Sequence, residues 1–125
     1  MQSIIGGFLA AVIAIAVVFM GTSSFWVPQG AVGFGIPHSP IQDPAFHAWL
    51  GVKGVRDIAS GVSIFVLLAA GTPALLGGLM LTLTLIPIGD AAIVLRNKGP
   101  KSAAYGIHAA SAAVVLTAAV LLLTA

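Results

Sequence analysis

The 125-residue chain has no cysteine, which excludes thiol catalysis, disulfide stapling and cysteine-ligated zinc and leaves the redox compartment unread. Charge is almost as scarce: charged residues make up 6% of the chain, against roughly 25% in soluble domains. Together with 59% hydrophobic residues and a mean hydropathy of +1.14, this excludes an ordinary soluble domain and predicts one integral membrane domain. The pI of about 9.5 does not point to nucleic acid. Five basic residues scattered among apolar runs form no surface that could track phosphates. Met1-Gln2-Ser3 lacks a positive leader region, so the first apolar run is expected to be a retained span rather than a cleaved signal. His38, His47 and His108 show no ligand spacing, so no metal is expected. No other cofactor is expected either.

What is present is a set of long apolar runs. Residues 4–21 form the first, with Gly6, Ala10 and Ala14 spaced for close contact with a second helix. Residues 48–71, 74–95 and 103–124 form three more, giving an all-α fold, an integral membrane four-helix bundle. The turn at Thr72-Pro73 predicts that the second and third spans are antiparallel neighbours. Pro87 removes a backbone donor from the third span, which predicts an interruption near residues 83–87 with Thr82 or Thr84 compensating. Residues 22–47 hold four prolines and several glycines, too broken for a long helix. Their aromatic residues, with Trp26 among them and Trp49 just beyond, predict a lid or interfacial segment over the bundle mouth. Arg96, Lys98 and Lys101 share one short turn, so that turn is expected in the cytoplasm and both termini on the other side.

The second span carries Lys53-Gly54-Val55-Arg56-Asp57-Ile58-Ala59-Ser60-Gly61. A charge near mid-bilayer costs roughly 2.5–3.5 kcal/mol, so such residues face the bundle interior and mark function. Gly54, Asp57 and Gly61 fall at i, i+3 and i+7, which sets the carboxylate on a glycine stripe and predicts that it points inward. Lys53 sits one turn before Asp57 and can contact it, while Arg56 and Ser60 form the adjacent row. At 1.5 Å per residue, Asp57 lies about 13 Å past the start of its span, Asp90 about 9 Å before Arg96, and His108 about 9 Å past Ser102. Antiparallel threading brings these three depths together. Tyr105, His108 and Ser111 share one side of the fourth span. A buried ion pair of Arg56 with Asp57 or Asp90 that only fixes helix register is the competing structural reading.

The motif Lys-Gly-x-Arg-Asp-x-x-x-Gly at 53–61, Gly89-Asp90 and the small-residue fourth span with His108 resemble an uncharacterised family of small four-span membrane proteins found in fungi and bacteria. Some fungal relatives stand beside polyketide or terpenoid enzymes, so the resemblance implies a lipophilic substrate.

Two classes of function follow. One is a membrane enzyme treating a lipophilic molecule with an acid–base pair, best matched by hydrolytic or cyclising epoxide opening, or by an isomerase moving a proton beside a carbonyl. Asp57, oriented by Arg56, would be the base and Asp90 the acid, with Tyr105 and His108 orienting the leaving oxygen or water. Lys53, Ser60, Trp26 and Trp49 are the candidate substrate contacts. The other class is a non-enzymatic carrier or accessory subunit in which the same charges set register or carry a proton. The expected partners are the lipid bilayer and the lipophilic small molecule, not nucleic acid. Small-residue rows on the first and fourth spans suit contacts within or between protomers, so a homo-oligomer is one outcome.

Overall fold

The computed structural model describes residues 1–125 and is helical throughout, without strands. Its helices are α1 (Gln2–Ser23), a short α2 (Ala31–Phe34), α3 (Pro44–Ala70), α4 (Pro73–Arg96) and α5 (Lys101–Leu123). Three of them, α1, α4 and α5, are long and apolar enough to cross a membrane. α3 is the longest, at 27 residues, and is the one that carries Lys53, Arg56 and Asp57. The protein is a membrane-type helical bundle, with bulky side chains such as Phe8, Phe19, Leu85 and Ile93 directed outward.

Helix starts follow local chemistry. α3 begins at Pro44 rather than Ala48, because the Asp43 side chain accepts the Ala45 amide at 2.9 Å and proline is at home in a first turn. Pro44 thus starts a helix where it was expected to break one. α4 starts the same way, with Thr72 Oγ1 accepting the Leu75 amide and Pro73 next in line. The expected interruption of α4 falls at Thr84. The threonine hydroxyls do not repair it: Thr84 Oγ1 donates to the Met80 carbonyl at 2.9 Å and Thr82 Oγ1 to Gly78 at 3.0 Å, both upstream of the carbonyl that Pro87 frees. In α5 the residues Ala104–Ala109 form a wider π-helical turn, a feature frequent at functional sites.

α1 is the central packing partner. It lies along α3 on one side and α5 on the other, and α4 packs on α5. The expected hairpin contact between α3 and α4 is sparse despite their short connection. The α1–α3 seam depends on absent side chains, since a Cβ on Gly54 would stand 2.5 Å from the Gly21 carbonyl and one on Gly61 would stand 2.9 Å from the Ala14 carbonyl. This glycine seam allows backbone-to-backbone approach and the van der Waals contact that stabilises helices in lipid.

The core cluster of Ala10, Ala14, Ile64, Met80, Val115, Ala118 and Leu122 fills the end of the bundle that holds the termini. The opposite end is closed differently. Residues 24–43 fold back with α2, and Phe34 and Ile36 pack on a second cluster of Val94, Ala103 and Ala104. Gly35, at φ +104°, ends α2 in the left-handed region, and a Cβ there would meet the Ala103 Cβ at 2.8 Å.

Candidate functional site

Between the dry core and this folded-back segment lies a partly open cavity of about 1010 Å³, with walls that are mostly apolar. All four long helices and the segment between α1 and α3 line it. Because α3 and α4 meet so little, the cavity takes up the space between them.

α3 contributes Lys53, Asp57, Ser60 and Ile64, which stand at i, i+4, i+7 and i+11 and so form one row facing inward. Lys53 Nζ donates to Asp57 Oδ2 at 2.7 Å, with the two side chains 41% and 16% exposed. It is the chain's one ion pair. Arg56 lies off this row: it is exposed, does not line the cavity, and its Nη1 donates to the Val52 carbonyl at 3.3 Å. The partner that orients Asp57 is therefore Lys53, and neither ion pair expected of Arg56 forms.

α4 contributes Asp90 and Pro87. The Asp90 carboxylate is half-buried and takes part in no hydrogen bond or ion pair within the chain. It stands within electrostatic reach of His108, Lys53 and Asp57. The three positions expected at one depth, Asp57, Asp90 and His108, thus line one cavity.

His108 enters from the π-helical turn of α5 and is buried. Its Nε2 is 2.7 Å from the Phe34 carbonyl. A carbonyl only accepts, so Nε2 carries the hydrogen and Nδ1 of the neutral ring keeps a lone pair. The Phe34 ring lies against the imidazole, centroids 4.3 Å apart at 52°. It also lies 5.4 Å from Lys53 Nζ, within cation–π range. Phe34 therefore meets two of the three titratable neighbours of Asp90, His108 and Lys53, a role that the sequence reading did not assign to it.

Trp49 and Ser60 line the cavity as expected of substrate contacts, joined by Ser111. The two serine hydroxyls donate back to helix carbonyls, Ser60 to Arg56 at 2.9 Å and Ser111 to Ile107 at 2.6 Å, leaving their oxygen lone pairs free to accept. Tyr105 and Trp26 lie apart from the cavity, 58% and 68% exposed. Tyr105 shares a helix side with His108 in an ideal α-helix, but the π turn shifts the angular phase between them. No group of three or more His, Asp or Glu side chains comes together in metal-binding geometry.

The family model that matches this chain covers residues 14–122 and is described as a domain of unknown function (DUF4267). No curated protein and no solved structure matches the chain.

Proposed function

The chain belongs to this family of unknown function, and from its own residues we propose a membrane enzyme that opens a lipophilic epoxide by carboxylate acid–base chemistry. The observation that carries the proposal is the meeting of two differently held carboxylates in one apolar-walled cavity: Asp57 clamped by Lys53, Asp90 unpartnered.

The chemistry follows from that difference. Asp57, fixed by the Lys53 ammonium, takes a proton from water as the water oxygen bonds to an epoxide carbon. The C–O bond of that carbon breaks, and Asp90 gives its proton to the departing epoxide oxygen. The product is a vicinal diol, and passage of the proton from Asp57 to Asp90 restores the site. His108, with Nδ1 free to accept, stands by Asp90 for that return. If a hydroxyl of the substrate replaces water, the same steps close a ring. The cavity suits a substrate of drug-like size or somewhat larger, since pockets for such ligands span about 300–1,000 Å³.

The same proposal includes four crossings with both termini on the non-cytoplasmic side. At 27 residues, α3 is about 40 Å long, enough for the hydrocarbon core and part of both interfaces. Its Lys53 and Asp57 face the cavity and each other rather than lipid, which makes burying them tolerable.

Purified protein in lipid nanodiscs, given long-chain epoxides in heavy-oxygen water, tests the reaction. The expected result is diol carrying one heavy oxygen, or a cyclic ether where an internal hydroxyl is present. Recovery of unchanged epoxide across the series would overturn the proposal.

A further inference from the structure

A second cleft, of about 560 Å³, lies between the segment after α2 and the turn joining α4 to α5, away from the acid–base cavity. Only two non-glycine residues of the chain have positive φ, His38 at 60° and Lys98 at 59°, and both line this cleft. Left-handed backbone is disfavoured for residues with a Cβ, and such conformations cluster where a side chain must be aimed. Lys98 stands just past the end of α4, at the position where helices usually place glycine.

The one charged side chain in the lining of the cleft is basic, Lys98. Arg96 and Lys101 flank it in sequence without lining the cleft, and none of the three forms an ion pair. The chain's carboxylates, Asp43, Asp57 and Asp90, are all absent from its lining. The walls are pinned to each other: a Cβ on Gly99 would run into the Gly35 carbonyl, and Gly35 itself sits against Val94 and Ala103. The cleft therefore exists before any ligand arrives. It lies where α4 ends and α5 begins, two helices long and apolar enough to cross a membrane, so a crossing by both would set the cleft at the level of lipid headgroups.

We propose that this cleft binds a phosphate group, held by Lys98 and His38, carried by an anionic lipid headgroup or free in solution. The proposal does not rest on the enzymatic reading. Both sources share the phosphate oxygens that accept from the lysine ammonium and the imidazole N–H. Basic clefts beside membrane helices are known to recognise such headgroups.

The test measures binding of the detergent-purified chain to vesicles of phosphatidylglycerol, phosphatidic acid or phosphatidylcholine, with inorganic phosphate as competitor. The expected result is preference for the anionic vesicles, reduced about fivefold by Lys98→Gln and by Lys98→Gly. The glycine variant relieves the left-handed backbone, so loss of binding in it cannot come from failed folding. His38→Gln is expected to weaken binding in the same direction. Arg56→Gln removes an equal charge from an exposed site far along α3 and is expected to leave binding unchanged. Competition by millimolar inorganic phosphate identifies a phosphate site open to both sources, and its failure assigns the site to the lipid. Equal loss in Arg56→Gln and Lys98→Gln, or no preference for anionic vesicles, would overturn the proposal.

Discussion

His108 and Phe34, separated by 74 positions in the chain, are joined by a 2.7 Å hydrogen bond from Nε2 to the Phe34 carbonyl and by ring contact at 4.3 Å. Through these two residues the segment between α1 and α3 is tied to the polar cavity. Gly35 is the joint that allows it, because its left-handed φ and its contact with Ala103 leave no room for a side chain.

Gly35→Ala is therefore expected to loosen this segment without replacing any residue that lines the acid–base cavity. The left-handed backbone alone costs about 1–2 kcal/mol for a residue with a Cβ. Hydrogen exchange at residues 31–36 should speed up in the variant while exchange in α1 stays slow. Unchanged exchange at Phe34 would show that the segment does not depend on Gly35.

The glycine seam gives a second expectation. Gly54→Ala sets a methyl group against the Gly21 carbonyl and Phe25, and overpacking of this kind costs about 1–3 kcal/mol. Gly78 faces open space, so Gly78→Ala should be neutral or stabilising by up to about 1 kcal/mol through helix propensity. Thermal unfolding in one detergent compares the two. Equal melting temperatures would mean that the α1–α3 approach is looser than the contact implies.

These cases show why some of the molecule was legible in the sequence and some was not. Gly54, Asp57 and Gly61 could be placed because helical spacing is local, and the inward carboxylate and the close approach of a neighbouring helix follow from it, though not that the neighbour is α1. The same spacing puts Lys53, Asp57 and Ser60 on one row, yet the motif drew attention to Arg56, its nearest neighbour in sequence, which points elsewhere on the helix. The sparse α3–α4 contact was hidden because a short turn fixes where two helices begin, not which neighbour holds them along their length. Phe34 was hidden for a stronger reason: its partners come from α3 and α5, and no local pattern encodes a contact across such separations. Tyr105 was misplaced by the π turn, which no residue in that stretch announces.

Topology supplies the third expectation. Arg96, Lys98 and Lys101 share one short turn, which favours the cytoplasmic side for that turn and for residues 24–43. Reporter fusions at both termini should be active only outside the cytoplasm, and a tag inserted at Asn97 should be accessible only from within. A cytoplasmic C-terminus by protease protection would reverse the assignment and place the polar cavity nearer the other face.

The charged residues on α3 give the most discriminating expectation, because neighbouring positions should behave differently. Asp57→Asn keeps the shape of the side chain and removes the anion that Lys53 holds at 2.7 Å. Lys53 is 41% exposed and partly solvated, so the loss of stability is expected to be about 1–2 kcal/mol, below that of a fully buried pair. Arg56→Gln removes a charge with no acidic partner and should change stability by less than about 0.5 kcal/mol. Turnover of the epoxide should separate them further. Asp57→Asn and Asp90→Asn each remove a proton-transfer group and are expected to lower the rate by about 10²–10⁴-fold, while Arg56→Gln and Tyr105→Phe, both outside the cavity, leave it within a factor of about two. Lys53→Met should fall between these groups, since it spares the base but releases its orientation. If Arg56→Gln abolished turnover while Lys53→Met did not, the side chain that orients Asp57 during reaction would be the arginine, and α3 would have to rotate from the position described here. If Asp90→Asn kept full activity, the acid would have to come from His108 or Lys53, the other proton donors that the cavity offers beside it.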